Sequence, residues 1–238
     1  ASLRVPPGQP FAVGQMGQSL DGFIATRTGA SHYVTGQESL VHLHRMRALV
    51  DGVVVGWRTA LADDPQLTVR LVEGEDPARV IVDLDERLGP ELRAFRPGAR
   101  VLHVVGDDRP DGAALASHVE RVLVPRRDGR VEPSVLLRML REQGLARLLI
   151  EGGGALVSAF VQASVLDRLH VVVAPLLIGQ GRPGVQVVPV DELADALRPP
   201  ARVHRLGSDV LFDLDLSRLP SGQPSGQASG QASGQASG

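Results

Sequence analysis

The amino-acid sequence predicts an α/β fold: a mainly parallel sheet with helices on both faces and an antiparallel hairpin at its C-terminal end. Three observations predict it. Short apolar runs recur at residues 53–55 (V-V-V), 79–83 (R-V-I-V-D), 101–105 (V-L-H-V-V) and 148–151 (L-L-I-E). Runs of this length without polar alternation suit strands buried on both faces. Helix signals stand between them, and strands alternating with helices argue for parallel pairing. The last two runs, residues 202–206 and 210–216, are joined only by a turn around Gly207-Ser208, which makes them a hairpin.

The elements follow in order. Residues 11–20 read as a strand, with apolar Phe11, Val13, Met16 and Leu20, and Asp21-Gly22 turns the chain. A polar loop spans residues 26–35. Thr35 with Glu38 three residues on has the capping-box pattern, starting a helix that runs to about Val50 with Leu40, Leu43, Arg47 and Val50 near one face. The run at 53–55 ends at Gly56, and a polar loop with Thr59, Asp63, Asp64 and Pro65 leads to Leu67 and Arg70. A short helix is expected at 113–118 and a strand at 119–124. Pro133 opens a helix that Gly144 ends. The run at 148–151 enters Gly152-Gly153-Gly154 and a helix over 155–163; a strand at 169–174 stops at Pro175. From Ser221 the chain is built from one S-G-Q-P unit and S-G-Q-A repeats and holds no large apolar side chain, so residues 219–238 are set apart from the rest. They read as a low-complexity flexible tail behind a single domain over 1–218.

Composition narrows the function. The chain has 238 residues, 43% apolar and 22% charged, with a net charge of −2, so nothing draws it globally to nucleic acid or an anionic membrane. No apolar run reaches the roughly 20 residues that cross a bilayer. No cysteine is present, which excludes disulfides, a thiol nucleophile and cysteine-bound metal, and fits a cytoplasmic protein. No lysine is present either, so anions must be met by arginine forks and backbone N–H groups.

Ligands of open α/β sheets bind past the carboxyl ends of the strands. Two such ends carry candidate chemistry. After residues 53–55, Thr59, Asp63, Leu67 and Arg70 mix polar and apolar groups as small-molecule sites do, although Asp-Pro also reads simply as a turn and Arg70 as a surface charge. After residues 148–151, the glycine triplet at a helix N-terminus suits a phosphate, although such a triplet alone is more often a tight turn. Glu151 at the end of a buried strand caps that turn or accepts from a ligand. His42 and His44 flank Leu43 and do not share a helix face, so they do not suggest a metal pair, and no zinc spacing is present.

The order S-L-D-G (19–22), S-H-Y-V-T (31–35), V-G-W-R-T-A-L-A-D-D-P-Q-L-T-V-R (55–70), I-E-G-G (150–153) and A-P-L-L-I-G (174–179) resembles the reductase domain of the riboflavin-biosynthesis deaminase/reductase family, over nearly the whole chain to about Leu216. The D-D-P-x-L-T-x-R block is the specific part. The resemblance implies a dihydrofolate-reductase-like fold, a homodimer, and NADPH-dependent reduction of the ribose of 5-amino-6-(5-phosphoribosylamino)uracil to a ribityl chain. It implies no resident metal, since the zinc belongs to the deaminase half. By position it places Gly17, Tyr33, Gly56, Thr59 and Asp63 at the cofactor, with Gly153, Gly154, Ala155, Leu156 and Val157 at its pyrophosphate. It places Ser31, Arg47, Leu67, Arg70 and Glu151 at the substrate, and Asp63 as the candidate proton donor, water being the other.

Four departures from the family pattern bear on specificity. Phe23 and Gln15 stand where basic residues are usual, Tyr33 replaces Trp, and Leu84 replaces a Ser. Asp85 and Glu86 follow where a 2′-phosphate is expected, which favours NADH, while Arg87 favours NADPH. A reductase of another pyrimidine or pterin-like metabolite and a non-catalytic ligand-binding relative are the alternatives.

Overall fold

The computed structural model describes residues 9–31, 34–109, 112 and 114–218. The expected tail, Tyr33 and Ala113 lie outside the described residues. The strands are β1 (Phe11–Ser19), β2 (Phe23–Thr26), β3 (Gly52–Gly56), β4 (Ala78–Val82), β5 (Val101–Gly106), β6 (Val119–Val124), β7 (Arg147–Glu151), β8 (Arg168–Ala174), β9 (Gly181–Pro183), β10 (Ala201–Leu206) and β11 (Asp209–Asp215). The helices are α1 (Gln37–Arg47), α2 (Trp57–Asp63), α3 (Pro133–Glu142) and α4 (Gly154–Gln162).

Nine strands form one sheet in the order β10-β11-β8-β1-β7-β3-β4-β5-β6. From β8 to β6 every pairing is parallel, and β11 and β10 add the antiparallel edge. The unbroken run of β3 has a simple cause: Val54 packs on one face with α3 and α4, Val53 and Val55 on the other with Met46 of α1, and all three are buried. A one-sided sheet would have exposed every second residue. Leu136, Leu137, Leu140, Val157 and Phe160 cover the first face, and Leu67, Ala94 and Phe95 join the second.

Five expectations need correction. The loop after Gly56 begins as helix α2, with Thr59 and Asp63 on one face, and only residues 64–70 are irregular. Thr35 does not cap α1: the N-cap is Gly36, and Asp209 of β11 accepts both the Gly36 N–H (2.7 Å) and the Ser39 hydroxyl (2.6 Å). A partner distant in sequence thus replaces the local capping box. Helix α1 ends at Arg47 and is buried on more than one side, at Ser39, His42, His44, Met46 and Arg47, with Leu40 exposed. Residues 114–118 form bends and a turn instead of a helix. Residues 23–26, expected to be the end of the Asp21-Gly22 turn and the start of the polar loop, form β2, which pairs with β9 in a small second sheet. The helix opened by Pro133, the left-handed Gly144 behind it and the closing hairpin stand as expected.

Candidate active site

The carboxyl ends of β1, β7, β3 and β4 lie side by side, and three clusters of candidate residues meet there. The first is the junction of β7 and α4. Gly153 donates its N–H to Thr59 Oγ1 at 2.9 Å, so the glycine turn is tied to α2. Thr59 and Asp63 are one helical turn apart on the same face of α2. Asp63 Oδ1 accepts the Ser31 hydroxyl at 2.8 Å. No side chain caps α4, which leaves its N-terminus with the partial positive charge that anions seek. The glycines are needed for different reasons. Gly152 has φ +102° and packs on Thr59, while a side chain at Gly154 would strike the backbone oxygens of Pro183 and Gly184 at 2.6 and 2.3 Å. At Gly56 a side chain would meet nothing within 4 Å, so the surface above β3 is open. Ala155 is exposed and Leu156 half-buried, but the Val157 side chain is fully inside the core and Gly17 packs on Thr35.

The second cluster is built on a buried ion pair. Arg47 of α1 donates Nε and Nη2 to the two carboxylate oxygens of Glu151, each at 2.7 Å, and Nη1 to the Thr68 carbonyl at 3.1 Å. Both residues are 6% exposed. Burial alone would lower the Arg47 pKa, but the Glu151 charge and hydrogen bonds outweigh it and raise it. Arg70 is exposed, is held by its N–H to His44 Nδ1 (2.9 Å), and donates Nη1 to Thr68 Oγ1 (2.7 Å). Partial burial and the nearby charges of Arg47 and Arg93 pull its pKa down, the sign of a locally cationic surface. Leu67, 1% exposed with φ +59°, anchors the intervening loop.

The third cluster lies at the end of β4. Arg87 stacks over Trp57 at 4.5 Å and pairs with Asp85 at 2.8 Å. Arg126 grips the other Asp85 oxygen at 2.6 Å, and Arg121 pairs with Glu86 at 2.9 Å. Hydrogen bonds from Arg126 and then Arg87 hold the Asp85 pKa at about 2. Leu84, in the Ser position, is buried.

A model of the RibD C-terminal domain matches residues 10–212. The chain belongs to that family. It is similar to the 2,5-diamino-6-ribosylamino-4(3H)-pyrimidinone 5′-phosphate reductase of Methanothermobacter thermautotrophicus, 35% identical over 86% of this chain and 97% of the relative. It is 32% identical to the riboflavin biosynthesis protein RibD of Mycobacterium tuberculosis, over 87% of this chain but 55% of that protein. The crystal structure of a diaminohydroxyphosphoribosylaminopyrimidine deaminase/5-amino-6-(5-phosphoribosylamino)uracil reductase from Thermotoga maritima superposes with a TM-score of 0.74. It is 28% identical, and the match covers 87% of this chain and 56% of that one. The chain therefore spans almost all of one relative and about half of the RibD proteins. The fold is dihydrofolate-reductase-like, as the family motifs implied.

Within this family fold, the sequence reading missed several residues that shape the site. Trp57, the sole tryptophan, directly follows β3 and so carried a signal. Arg126, His44 and Arg93 carried none, because each acts on a partner at least 26 residues away. Among the described residues no group of His, Asp and Glu is arranged to hold a metal, and no helix is long and apolar enough to cross a membrane.

The buried histidines of α1 have a consequence for stability. Burial, then the nearby His170, lowers the His42 pKa to about 4, and burial, then Arg47, lowers that of His44 to about 4. Both fall from the usual 6.5. The unfolded chain then binds protons that the folded chain refuses, so stability is full above pH 6.5 and is lost as pH falls toward 4. The thermal midpoint is expected to drop between pH 7 and pH 5, and His42→Asn to flatten that slope. An unchanged midpoint across the interval would show that these histidines take up protons as readily in the fold as in the unfolded chain.

Proposed function

We propose that this chain reduces the ribose of a phosphorylated 5-amino-6-ribosylaminopyrimidine to a ribityl chain, using NADPH. The observation that carries this is the Arg47–Glu151 pair with Arg70 beside an uncapped helix N-terminus. A carboxylate acceptor for ring or amine N–H groups, a cation for a phosphate and an anion seat for a pyrophosphate share one strand edge. When bound, the nicotinamide supplies a hydride. The protein positions it over the sugar C1′ and excludes other geometries.

In this reading Thr59, Gly56, Gly153, Gly154 and the exposed Ala155 line the cofactor path, with Val157 contributing only backbone. Arg70 and Leu67 hold the substrate, Glu151 accepts from its ring, and Arg47 fixes Glu151 in place while its own guanidinium is spent on that carboxylate. Asp63, with the Ser31 hydroxyl donated to it, is placed where both ligands meet and handles the proton. NADPH is favoured because arginines neutralise both acidic residues of the β4 loop. With Asp85 held by Arg87 and Arg126 and Glu86 by Arg121, neither of these two carboxylates is free to repel a 2′-phosphate or to accept from a ribose diol.

The near full-length match to the archaeal reductase favours a second reading for the ring: the 2-amino pyrimidinone in place of the uracil. The test follows nicotinamide absorbance with each phosphoribosylamino-pyrimidine, using NADPH and NADH in parallel. Oxidation of NADPH by one of the two supports the reaction and picks the ring. Oxidation of NADH alone keeps the reaction and overturns the cofactor. Tight cofactor binding without oxidation by either overturns the substrate. We also propose a homodimer, supported by an apolar groove lined by Val171, Val187, Val188, Val190, Leu197 and Leu214 that a second copy would cover. Sedimentation of the assayed sample at the mass of one chain would overturn it.

A further inference from the structure

The loop between α2 and Arg70 carries the candidate substrate groups Leu67 and Arg70, and its backbone is unusual at two points. Asp64, the C-cap of α2, has φ +39° and ψ +56°, and Leu67 has φ +59°. L side chains rarely adopt this left-handed region, so the surrounding structure must impose it. For Leu67 the cause is burial in the core. At Asp64, the C-cap of α2, the carboxylate is engaged by Arg93. Its backbone N–H donates to Asp64 Oδ1 at 2.7 Å and its Nε to Oδ2 at 3.0 Å, so one residue closes a fork on one carboxylate.

Arg93 is a fixed anchor. It opens a single 3-10 turn, Arg93–Phe95, whose next two residues, Ala94 and Phe95, are buried in the same core as Leu67. The far side of that turn is tied down as well, since Arg79 donates to the carbonyls of Arg96 and Ala99 at 2.8 and 2.7 Å. Downstream of Asp64 the loop is held by Arg47 on the Thr68 carbonyl, Asp76 on the Val69 N–H and His44 on the Arg70 N–H.

We propose that Arg93 is a positioning residue of the active site: by clasping Asp64 it sets the start of the loop that presents Leu67 and Arg70. The role of that loop rests on the functional reading above, but the clasp does not, so the two can be tested apart. Asp63, on the far side of the cap, belongs to α2 and keeps its bond to Ser31, so loosening the clasp acts on the substrate side and spares the cofactor side.

The experiment compares Arg93→Ala, Arg93→Lys, Asp64→Ala, Asp64→Gly and the Arg93→Ala/Asp64→Ala double variant. Substrate KM, cofactor Kd and amide exchange of the ligand-free protein are measured on each. Asp64→Ala is expected to raise substrate KM roughly tenfold, with cofactor Kd within about twofold. Arg93→Ala is expected to raise it about threefold, since its N–H bond remains, and Arg93→Lys to recover part of that. The double variant should be no worse than Asp64→Ala, because both remove one interaction. Exchange at the Val69 and Arg70 amides should quicken in Asp64→Ala without substrate present. Wild-type kinetics in Asp64→Gly would overturn the proposal, since the backbone conformation alone would then suffice. Additive losses in the double variant would overturn it too, as would unchanged exchange. If the wild-type chain reduces no pyrimidine, the functional reading fails while the exchange result still decides the clasp.

Discussion

Arg47→Ala is expected to lower the thermal midpoint by roughly 6–20 °C and to reduce kcat/KM by about a hundredfold or more. The pair it breaks is buried, with side chains 7% and 8% exposed. Removing the guanidinium strands the Glu151 carboxylate with its charge uncompensated, and breaking a buried pair in this way costs about 3–5 kcal/mol. A domain of this size loses roughly 2–4 °C per kcal/mol. The informative partner is the double variant Arg47→Met/Glu151→Leu. Apolar replacement of both members of a buried pair is often neutral for stability. That variant is expected to melt near the wild-type temperature and to remain inactive. Recovery of the midpoint without recovery of turnover would show that the pair is kept for the site and not for the fold. A double variant that regains turnover would remove Glu151 from the substrate's contacts. Calorimetry and the absorbance assay on the same preparations decide between them.

That pair also shows where reading the sequence stops. Glu151 was legible, because a charge ending a buried run demands a partner or a ligand. Arg47 was legible as a charge on a buried helical stripe. Their contact was not, because 104 residues separate them and nothing local marks it. The same limit explains α1: a local capping box at Thr35 and Glu38 was readable, whereas the Asp209 carboxylate that holds the helix start comes from the far hairpin. Helix α2 was misread for a different reason. It has seven residues, no side-chain cap and a polar face toward the site, so its helical period is too brief to stand out from a loop. The parallel strands were readable because burial on both faces removes polar alternation, and β2 and β9 were missed because four and three residues hold no period. The glycine triplet is readable from sequence as a tight turn or a phosphate seat. The packing need at Gly152 and Gly154, against Thr59 and the backbone of Gly184, comes from neighbours that only the fold brings together.

Arg70→Ala tests the placement of the two ligands. Its guanidinium is exposed, and of its contacts the fold uses mainly the backbone N–H to His44, which alanine keeps. The midpoint should therefore move little, as for most surface substitutions. Substrate binding should not survive as well. A charge-assisted hydrogen bond contributes about 1.5–3 kcal/mol, so losing one to a phosphate raises substrate KM roughly 10- to 100-fold. Arg93 and Arg47 cannot replace it, because Asp64 and Glu151 already engage them. Cofactor Kd should stay within about twofold, since Thr59 and the start of α4 lie on the other side of Asp63. Lysine at position 70 is expected to recover only part of the loss, because an ammonium offers a point charge where the guanidinium offers a planar fork. Titration of NADPH and steady-state kinetics on the same variant separate the outcomes. A collapse of cofactor binding with substrate KM intact would reverse the placement, putting the pyrophosphate at Arg70 and the sugar phosphate at the glycine turn.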